Sequence, residues 1–264
     1  MRPHHPERIV CLTEESTETL YLLGEEARIV GISGFTVRPP EARRDKPKVS
    51  AFTSAKIDKI LDLDPDLVIG FSDLQADIAA TLIRRGVNVM VFNHRSVEEI
   101  LGMMLTLAGI VGAHERGQVL VEEHLERIDA VRTEAARLPH RPRVYFEEWD
   151  EPMISAIGWV SELIGIAGGE DCFPELGRQP LGKDRIIADP VRVIDADPEL
   201  IVGSWCGKKF RPEKVCARPG WEAVAAVRAG AVHEIKSPDI LQPGPAALGD
   251  GLTRLAALVR SVAG

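Results

Sequence analysis

Short apolar runs alternate with amphipathic segments along the first part of the chain. Each run ends in polar residues or glycine, as buried strands do. The segments between the runs space their apolar residues as on one face of a helix, and glycine often closes them. Strands are predicted at residues 8–12, 28–32, 67–70 and 87–92, and helices at residues 14–23, 57–63 and 77–85. This alternation predicts an α/β fold with largely parallel strand pairing.

The middle of the chain interrupts this alternation with a long helical segment. Residues 96–138 contain no proline and keep a helical periodicity, and Gly109 and Gly112 divide them into two helices. The second helix is predicted to have about 26 residues, which is about 39 Å at 1.5 Å per residue. Pro139 and Pro142 end it. Such a helix is longer than the ordinary crossover helix of a parallel sheet.

The second half of the chain repeats part of the first half. Residues 190–203 match residues 57–70 at an offset of 133, and a run that begins at Arg143 matches the run that begins at Arg8 at an offset of 135. Five pairs at the first offset are identical: Asp62 and Asp195, Asp64 and Asp197, Pro65 and Pro198, Leu67 and Leu200, and Gly70 and Gly203. Two matches at nearly one offset predict two similar lobes.

The predicted boundaries follow from the repeat and the helical segment. An N-terminal α/β lobe is predicted at residues 1–95, a helical connection with a long backbone helix at 96–141, and a C-terminal α/β lobe at 142–264. The chain is predicted to end in a helix at residues 246–262, after a turn rich in proline and glycine.

Charge and hydropathy narrow the classes of partner. The chain has 32 basic and 40 acidic residues and a net charge of −8, which argues against nucleic acid or an anionic membrane surface as its partner. No apolar run is long enough to span a bilayer, so membrane insertion is not expected.

Residues 1–12 lack the apolar segment of a signal peptide. This sequence predicts a cytoplasmic protein, or a periplasmic one if a leader was removed. The four cysteines form no CxxC pair and predict no disulfide framework.

Large aromatic residues collect where the predicted strands end. Five of the 13 aromatic residues (four Trp, two Tyr and seven Phe) fall in strand-end loops: Phe35, Phe71, Trp149, Trp205 and Phe210. Parallel α/β sheets place their functional loops at the carboxyl ends of the strands. An aromatic-lined, partly polar cleft between two lobes is therefore expected, and such a cleft suits a sizeable small molecule.

The chain resembles the class III periplasmic binding proteins of ABC importers, in their vitamin B12-binding branch. The resemblance is carried by residues 8–18, 29–33 and 48–69, by the glycine-interrupted start of the long helix, and by residues 168–170. It implies two Rossmann-like lobes with mostly parallel sheets, joined by one long rigid helix. It also implies a non-catalytic protein that holds cobalamin or a related corrinoid between the lobes. Relatives in the family bind ferric siderophores, haem or other metal chelates, and these ligands are the alternative.

The residues expected to bind a ligand or a permease lie in the strand-end loops or follow from the resemblance. The ligand-binding candidates are Glu14, Glu15, Phe35, Phe71, Ser72, His94, Glu148, Trp149, Trp205, Cys206, Lys208 and Asp239. The family carries one acidic residue on each lobe that pairs with arginines of the permease. Glu18 matches the first of these acids, whereas the second falls at Val191, so Asp189 two residues earlier is the candidate. An ABC permease is the partner that this pattern implies.

Several of these residues have more than one interpretation. The acids at the two strand ends suit a hard metal ion or an amide-rich ligand, but helix N-termini also favour acidic residues: Glu14, Glu15, Glu147, Glu148, Asp150 and Glu151. The two indoles could be flat walls for a macrocycle or could pack inside a lobe. A different class of function is an enzyme on the same scaffold, with Cys206, His233 and the pair Glu147 and Glu148 as its working groups.

Overall fold

The computed structural model describes residues 4–264, which fold into two compact units. Unit 1 contains the described residues up to His94 together with Glu98–Glu123. Unit 2 contains Arg95–Val97 and His124–Gly264. Each unit has its own five-stranded sheet, so no single sheet runs through both halves of the described chain.

Unit 1 is a parallel sheet with helices between its strands. Its strands are β1 (Ile9–Cys11), β2 (Ile29–Ser33), β3 (Lys48–Ser50), β4 (Leu67–Phe71) and β5 (Val89–Phe92), in the order β3-β2-β1-β4-β5. Its helices are α1 (Glu14–Leu22), α2 (Pro40–Asp45), α3 (Ile57–Leu61) and α4 (Ala76–Arg84), with 3-10 turns at Glu26–Arg28 and Asp73–Gln75. Apolar side chains of the strands pack against α3 and α4 and form the core: Val10, Leu12, Val49, Ile60, Val68, Ile78 and Leu82.

Two longer helices follow and carry the chain from unit 1 into unit 2. They are α5 (Val97–Ile110) and α6 (His114–Ala135). The second has 22 residues and ends before Pro139, so it is slightly shorter than the predicted helix. Within residues 4–264, no helix combines the length and the apolar character that a membrane crossing requires.

Unit 2 is built around the long strand β6 (Arg143–Asp150). The other strands are β7 (Met153–Ser155), β8 (Glu170–Asp171), β9 (Leu200–Gly203) and β10 (Val232–Glu234). The sheet order is β10-β9-β6-β7, and β8 also pairs with β6. The helices are α7 (Gly158–Ile166), α8 (Pro174–Gly177), α9 (Val191–Ala196), α10 (Pro212–Cys216), α11 (Ala225–Ala229), α12 (Ser237–Ile240) and α13 (Leu252–Val262), with 3-10 turns at Gly182–Arg185 and Trp221–Ala223.

The predicted α/β fold with two parallel-dominated sheets is confirmed, and two details differ. The strand β7 is antiparallel to β6, and the sequence analysis did not predict it because only two residues separate this short strand from β6. The predicted C-terminal helix begins with a π-helical turn at Ala247–Gly251 before α13. A side chain at Gly251 would place its Cβ 2.3 Å from the carbonyl oxygen of Asp239, so only glycine fits this turn. A separate helical connection at 96–141 stays a prediction.

The internal repeat extends to individual hydrogen bonds. In unit 1, Nε of Arg8 donates to the carbonyl oxygens of Leu63 and Asp64, at 3.1 and 2.9 Å. In unit 2, Nε of Arg143 donates to the carbonyl oxygens of Ala196 and Asp197, at 3.1 and 3.0 Å. An arginine at the start of the central strand therefore holds the turn before the neighbouring strand in both units.

The backbone of that turn also repeats. Asp64 and Asp197 both lie in the left-handed region, with φ values of 46° and 42°. Aspartate tolerates this region better than most residues. Asp197 is the C-terminal cap of α9, and Asp64 lies three residues after the last residue of α3. The strands that follow pair with the central strand in parallel, with Ile9 opposite Leu67 in unit 1 and Val144 opposite Leu200 in unit 2.

Removing either arginine is expected to lower the stability of the protein by the same small amount. Arg8→Ala and Arg143→Ala should each lower the free energy of unfolding by about 1–2 kcal/mol, because each loses several charge-assisted hydrogen bonds at a partly exposed site. Urea unfolding followed by circular dichroism measures both, with Arg44→Ala as the exposed control. A cost at one position and none at the other would contradict the equivalence of the two turns.

Candidate functional site

The carboxyl end of β1 carries two buried acids at the start of α1. Glu14 and Glu15 are 5% and 2% exposed, and the hydroxyl of Thr13 donates to Oε1 of Glu15 at 2.5 Å. Burial, followed by the charge of Glu15, raises the pKa of Glu14 to about 8. Burial raises the pKa of Glu15 to about 7, although the Thr13 hydrogen bond opposes the shift. Near neutral pH both carboxyl groups can therefore donate as well as accept hydrogen bonds.

The remaining candidates of unit 1 lie at the ends of β2, β4 and β5. The ring of Phe35 is 54% exposed, whereas Phe71, Ser72 and His94 are all buried. The structure brings Phe71 and His94 together, with ring centroids 5.0 Å apart. The hydroxyl of Ser72 accepts a hydrogen bond from the backbone N–H of Leu74 at 3.3 Å. Phe35 is therefore the candidate of this unit that presents a large apolar surface to solvent.

The two predicted docking acids have different surroundings. Glu18 is 8% exposed, and its Oε1 lies 2.9 Å from Nε of Arg38. Asp189 is exposed, and its Oδ1 accepts a hydrogen bond from the backbone N–H of Val191 at 3.0 Å, at the start of α9. Their role in docking stays a prediction.

In unit 2 the central strand β6 contains a fully buried carboxylate. Glu147 is 0% exposed and accepts hydrogen bonds from Tyr145 at 2.8 Å and from the indole of Trp205 at 3.0 Å. Arg218 adds a two-fold contact at 2.5 and 2.9 Å. Burial and the adjacent Glu147 raise the pKa of Tyr145 well above its ordinary value, so Tyr145 remains a donor. These four hydrogen bonds assign Glu147 to the internal framework of the unit.

The next acid along β6 is paired with a buried arginine. Arg185 is 2% exposed, and its guanidinium contacts both oxygens of Glu148 at 2.6 and 3.1 Å. It also donates to the carbonyl oxygen of Ser155 on β7 at 2.6 Å. Glu148 itself remains 22% exposed, so the arginine holds a carboxylate at the surface of this strand end.

The end of β6 and the loop after β9 place a lysine against two indoles. Nζ of Lys208 lies 4.2 Å from the centroid of Trp149 and 5.0 Å from that of Trp205, and it also pairs with the carboxylate of Asp150. Trp149 is half-buried, whereas Trp205 is 4% exposed and packs edge-on against Phe210 with centroids 4.8 Å apart. Trp149 therefore has the more exposed indole, whereas the ring of Trp205 is covered by its neighbours within the unit, Lys208 among them.

The other candidates of unit 2 lie in the loop after β9, on β10 and in α12. Cys206 is exposed in the loop after β9, and His233 is half-buried on β10. Asp239 is 7% exposed and pairs with Arg254 at 3.0 Å. In residues 4–264, the His, Cys, Asp and Glu side chains form no group of three or more that could hold a metal ion. Three acids of unit 2 are instead paired with basic side chains: Glu147 with Arg218, Glu148 with Arg185 and Asp150 with Lys208.

Sequence reasoning missed the two arginines that organise these acids. Arg218 and Arg185 lie 71 and 37 residues from their carboxylate partners, so no local spacing connects them. The available signal was the run of acids on a predicted buried strand, because buried charges require partners. Burial of these acids predicts that basic side chains pair with them, but it does not identify which residues provide those side chains.

One protein-family model and several known proteins match this chain in sequence. Residues 9–238 match the family model described as periplasmic binding protein. The vitamin B12-binding protein of Vibrio cholerae serotype O1 is 26% identical over 178 residues, which are 66% of this chain and 63% of that protein. The cobalamin-binding protein of Halobacterium salinarum is 23% identical over 206 residues, or 75% of this chain and 53% of that protein. The chain thus covers less than two thirds of the length of these relatives.

The fold has well-matched neighbours among solved structures. The periplasmic heme-binding protein RhuT from Roseiflexus sp. RS-1, in its apo form, superposes with a TM-score of 0.83 at 24% identity. The match covers 98% of this chain and 99% of that one. At this identity the likeness establishes the fold.

Proposed function

The chain belongs to the periplasmic binding protein family, and we propose that it captures cobalamin or a related corrinoid without chemically changing it. The observation that carries this proposal is the match to two proteins that are named for the same ligand, one from a bacterium and one from an archaeon. The matches to them cover 66% and 75% of this chain. A corrinoid is the ligand class that both names have in common.

The strand-end surfaces of the two units have the chemistry that such a ligand requires. A corrin is a large ring system with amide side chains, so it needs apolar surface together with hydrogen-bonding groups. Phe35 on unit 1 and Trp149 on unit 2 offer aromatic rings. Glu14 and Glu15 can donate or accept hydrogen bonds near neutral pH, and Glu148 presents a fixed acceptor. Each of these groups matches a part of an amide-substituted macrocycle.

A binding test distinguishes corrinoids from the other chelates of the family. The protein is incubated separately with cyanocobalamin, haemin and a ferric hydroxamate, desalted, and examined by absorption spectroscopy. Retention of cyanocobalamin in a one-to-one ratio is the expected result. A protein that retains haemin or the ferric chelate and leaves cyanocobalamin behind would contradict the corrinoid proposal.

Removing either exposed ring is expected to weaken corrinoid binding by about 10- to 100-fold. The variants are Phe35→Ala and Trp149→Ala, and each loses apolar contact area together with aromatic contact energy, where about 1.4 kcal/mol corresponds to tenfold in affinity. Isothermal titration calorimetry with cyanocobalamin measures the change. The matched control is Leu22→Ala, because this side chain is 53% exposed at the far end of α1. An equal loss of affinity in the control variant would show that the effect is not local.

We further propose that the protein delivers its ligand to an ABC permease in the periplasm. The proposal is supported by the family and by two acids, Glu18 and Asp189, one in each unit. Arginines of a permease would have to compete with Arg38 for Glu18, whereas Asp189 is exposed. Asp189 is therefore the acid whose replacement by asparagine should weaken docking more directly.

The alternative of an enzyme on this scaffold has weaker structural support. Its working groups were Cys206, His233 and the pair Glu147 and Glu148. Arginines hold both carboxylates in two-fold contacts, and Glu147 also accepts hydrogen bonds from Tyr145 and Trp205. Four hydrogen bonds fill the acceptor sites of the fully buried Glu147, which makes it a poor general base, whereas Glu148 keeps a partly exposed carboxylate.

A further inference from the structure

Lys208 occupies a site with the composition of a cation-binding cage. Two indole faces lie within 5.0 Å of its ammonium group, and the carboxylate of Asp150 completes the surroundings. Indole is the best aromatic partner for a cation, and cages of aromatic side chains are the arrangement that proteins use for quaternary ammonium ligands. We propose that Trp149, Trp205 and Asp150 form a binding site for an organic cation and that Lys208 fills this site until a ligand displaces it.

The walls of the cage are fixed by contacts that do not involve Lys208. The indole N–H of Trp149 donates to the carbonyl oxygen of Glu151 at 2.9 Å, and that of Trp205 donates to Glu147 at 3.0 Å. The ring of Trp205 also packs against Phe210. Asp150 is 6% exposed and lies at the end of the central strand β6. The site is therefore preorganised, and removing the lysine would leave its shape in place.

The occupant, in contrast, is attached to an exposed loop. Residues 206–209 are all exposed, and the side chain of Lys208 is 37% exposed. Gly207 has a φ of +77°, and no atom lies near the position where its Cβ would be. The backbone N–H of Lys208 lies 3.5 Å from the carbonyl oxygen of Trp205, which is a long hydrogen bond. A lysine on such a loop can leave the cage without disturbing the sheet.

The balance of charge favours exchange of one cation for another. Asp150 is almost completely buried, so its carboxylate requires a positive partner close by. A neutral ligand that displaced Lys208 would leave this carboxylate unpaired, whereas an ammonium ligand would replace the lost charge. The site therefore selects for a cation, and this inference does not depend on the corrinoid proposal.

The test compares a cation with its neutral isostere in a matched set of variants. Choline and 3,3-dimethylbutan-1-ol have the same shape apart from the charged centre. Isothermal titration calorimetry measures the binding of each compound to the unchanged protein and to the Lys208→Ala variant. Lys209→Ala is the control. Lys209 lies in the same exposed loop and carries the same charge, so its removal reproduces the change in net charge alone.

Loss of the internal competitor is expected to strengthen choline binding. Lys208→Ala should bind choline about 5- to 30-fold more tightly than the unchanged protein, which is the range that a cation–π contact and a partly buried ion pair represent. Lys208→Gln should also increase the affinity for choline, by a smaller factor. This variant allows the same test if Lys208→Ala folds poorly. Adding Asp150→Asn to Lys208→Ala should abolish the gain. The neutral alcohol and the Lys209→Ala protein should show no gain.

Three results would overturn the proposal. The first is unchanged or weaker choline binding in both Lys208 variants. The second is an equal gain for choline and for the neutral alcohol, because this would show only that apolar surface had been uncovered. The third is an equal gain in Lys209→Ala, which would assign the effect to net charge. Because none of these measurements uses a corrinoid, failure of the cation site and failure of corrinoid binding are separable.

Discussion

Replacing Arg218 with methionine is expected to lower the free energy of unfolding by about 3–5 kcal/mol, the cost of removing one partner from a buried ion pair. Glu147 is 0% exposed, and Arg218 supplies two of its four hydrogen bonds. Methionine fills part of the space but leaves the carboxylate with only Tyr145 and Trp205 as donors. Urea unfolding followed by circular dichroism gives the change in stability.

Two further variants make this result specific. Arg192 pairs with Glu175 at 3.0 Å at a site where the two side chains are 45% and 56% exposed, so Arg192→Met should cost less than about 1 kcal/mol. The double variant Arg218→Met with Glu147→Gln should be more stable than Arg218→Met alone, because it removes the uncompensated charge. If Arg218→Met costs no more than Arg192→Met, Glu147 is not the buried anion that the structure describes.

Replacing Glu15 with glutamine is expected to stabilise the protein by about 2–3 kcal/mol at pH 8 and by almost nothing at pH 4.5, since one unit of pKa shift corresponds to about 1.4 kcal/mol. The ordinary pKa of 4.5 applies to the unfolded chain, and burial raises the value to about 7 in the folded protein. Between these values the folded state holds more protons than the unfolded state. The contribution of Glu15 to the stability of the unchanged protein therefore falls as the pH rises from 4.5 through 7.

Glutamine resembles the protonated acid and does not titrate, so it avoids this loss. It also keeps an oxygen that can accept the hydrogen bond from Thr13. Thermal or urea unfolding at pH 4.5 and pH 8 measures the difference, with Glu213→Gln as an exposed control that should change stability by no more than about 0.5 kcal/mol. An equal effect of Glu15→Gln at both pH values would contradict the raised pKa of Glu15.

The sheets and their repeat could be predicted because the relevant signals are local. Apolar runs such as β1 and β4 are buried on both faces and therefore stand out in the sequence. The repeated turn at Asp64 and Asp197 is encoded in consecutive residues, and the structure shows the same left-handed backbone in both. The strand β7 was missed because only two residues separate its three residues from the end of β6, so the sequence does not mark it as a separate element.

The position of the candidate residues at strand ends could be predicted, whereas their pairing could not. Strand-end loops follow from the α/β topology, and these loops contain Phe35, Trp149 and the acids of both units. The exposure of each ring depends on long-range packing, which buries Trp205 and leaves Phe35 half-exposed. The pairing of acids with Arg185 and Arg218 depends on contacts between distant segments, which a single sequence does not reveal.

The division into two units gives the protein a built-in spectroscopic label. All four tryptophans, Trp149, Trp159, Trp205 and Trp221, belong to unit 2, whereas unit 1 has none. Intrinsic tryptophan emission therefore follows the unfolding of unit 2 alone, while far-ultraviolet circular dichroism follows both units. Coincident transitions by the two methods would mean that the units unfold as one cooperative body, and separated transitions would assign each step to its unit without any added fluorophore.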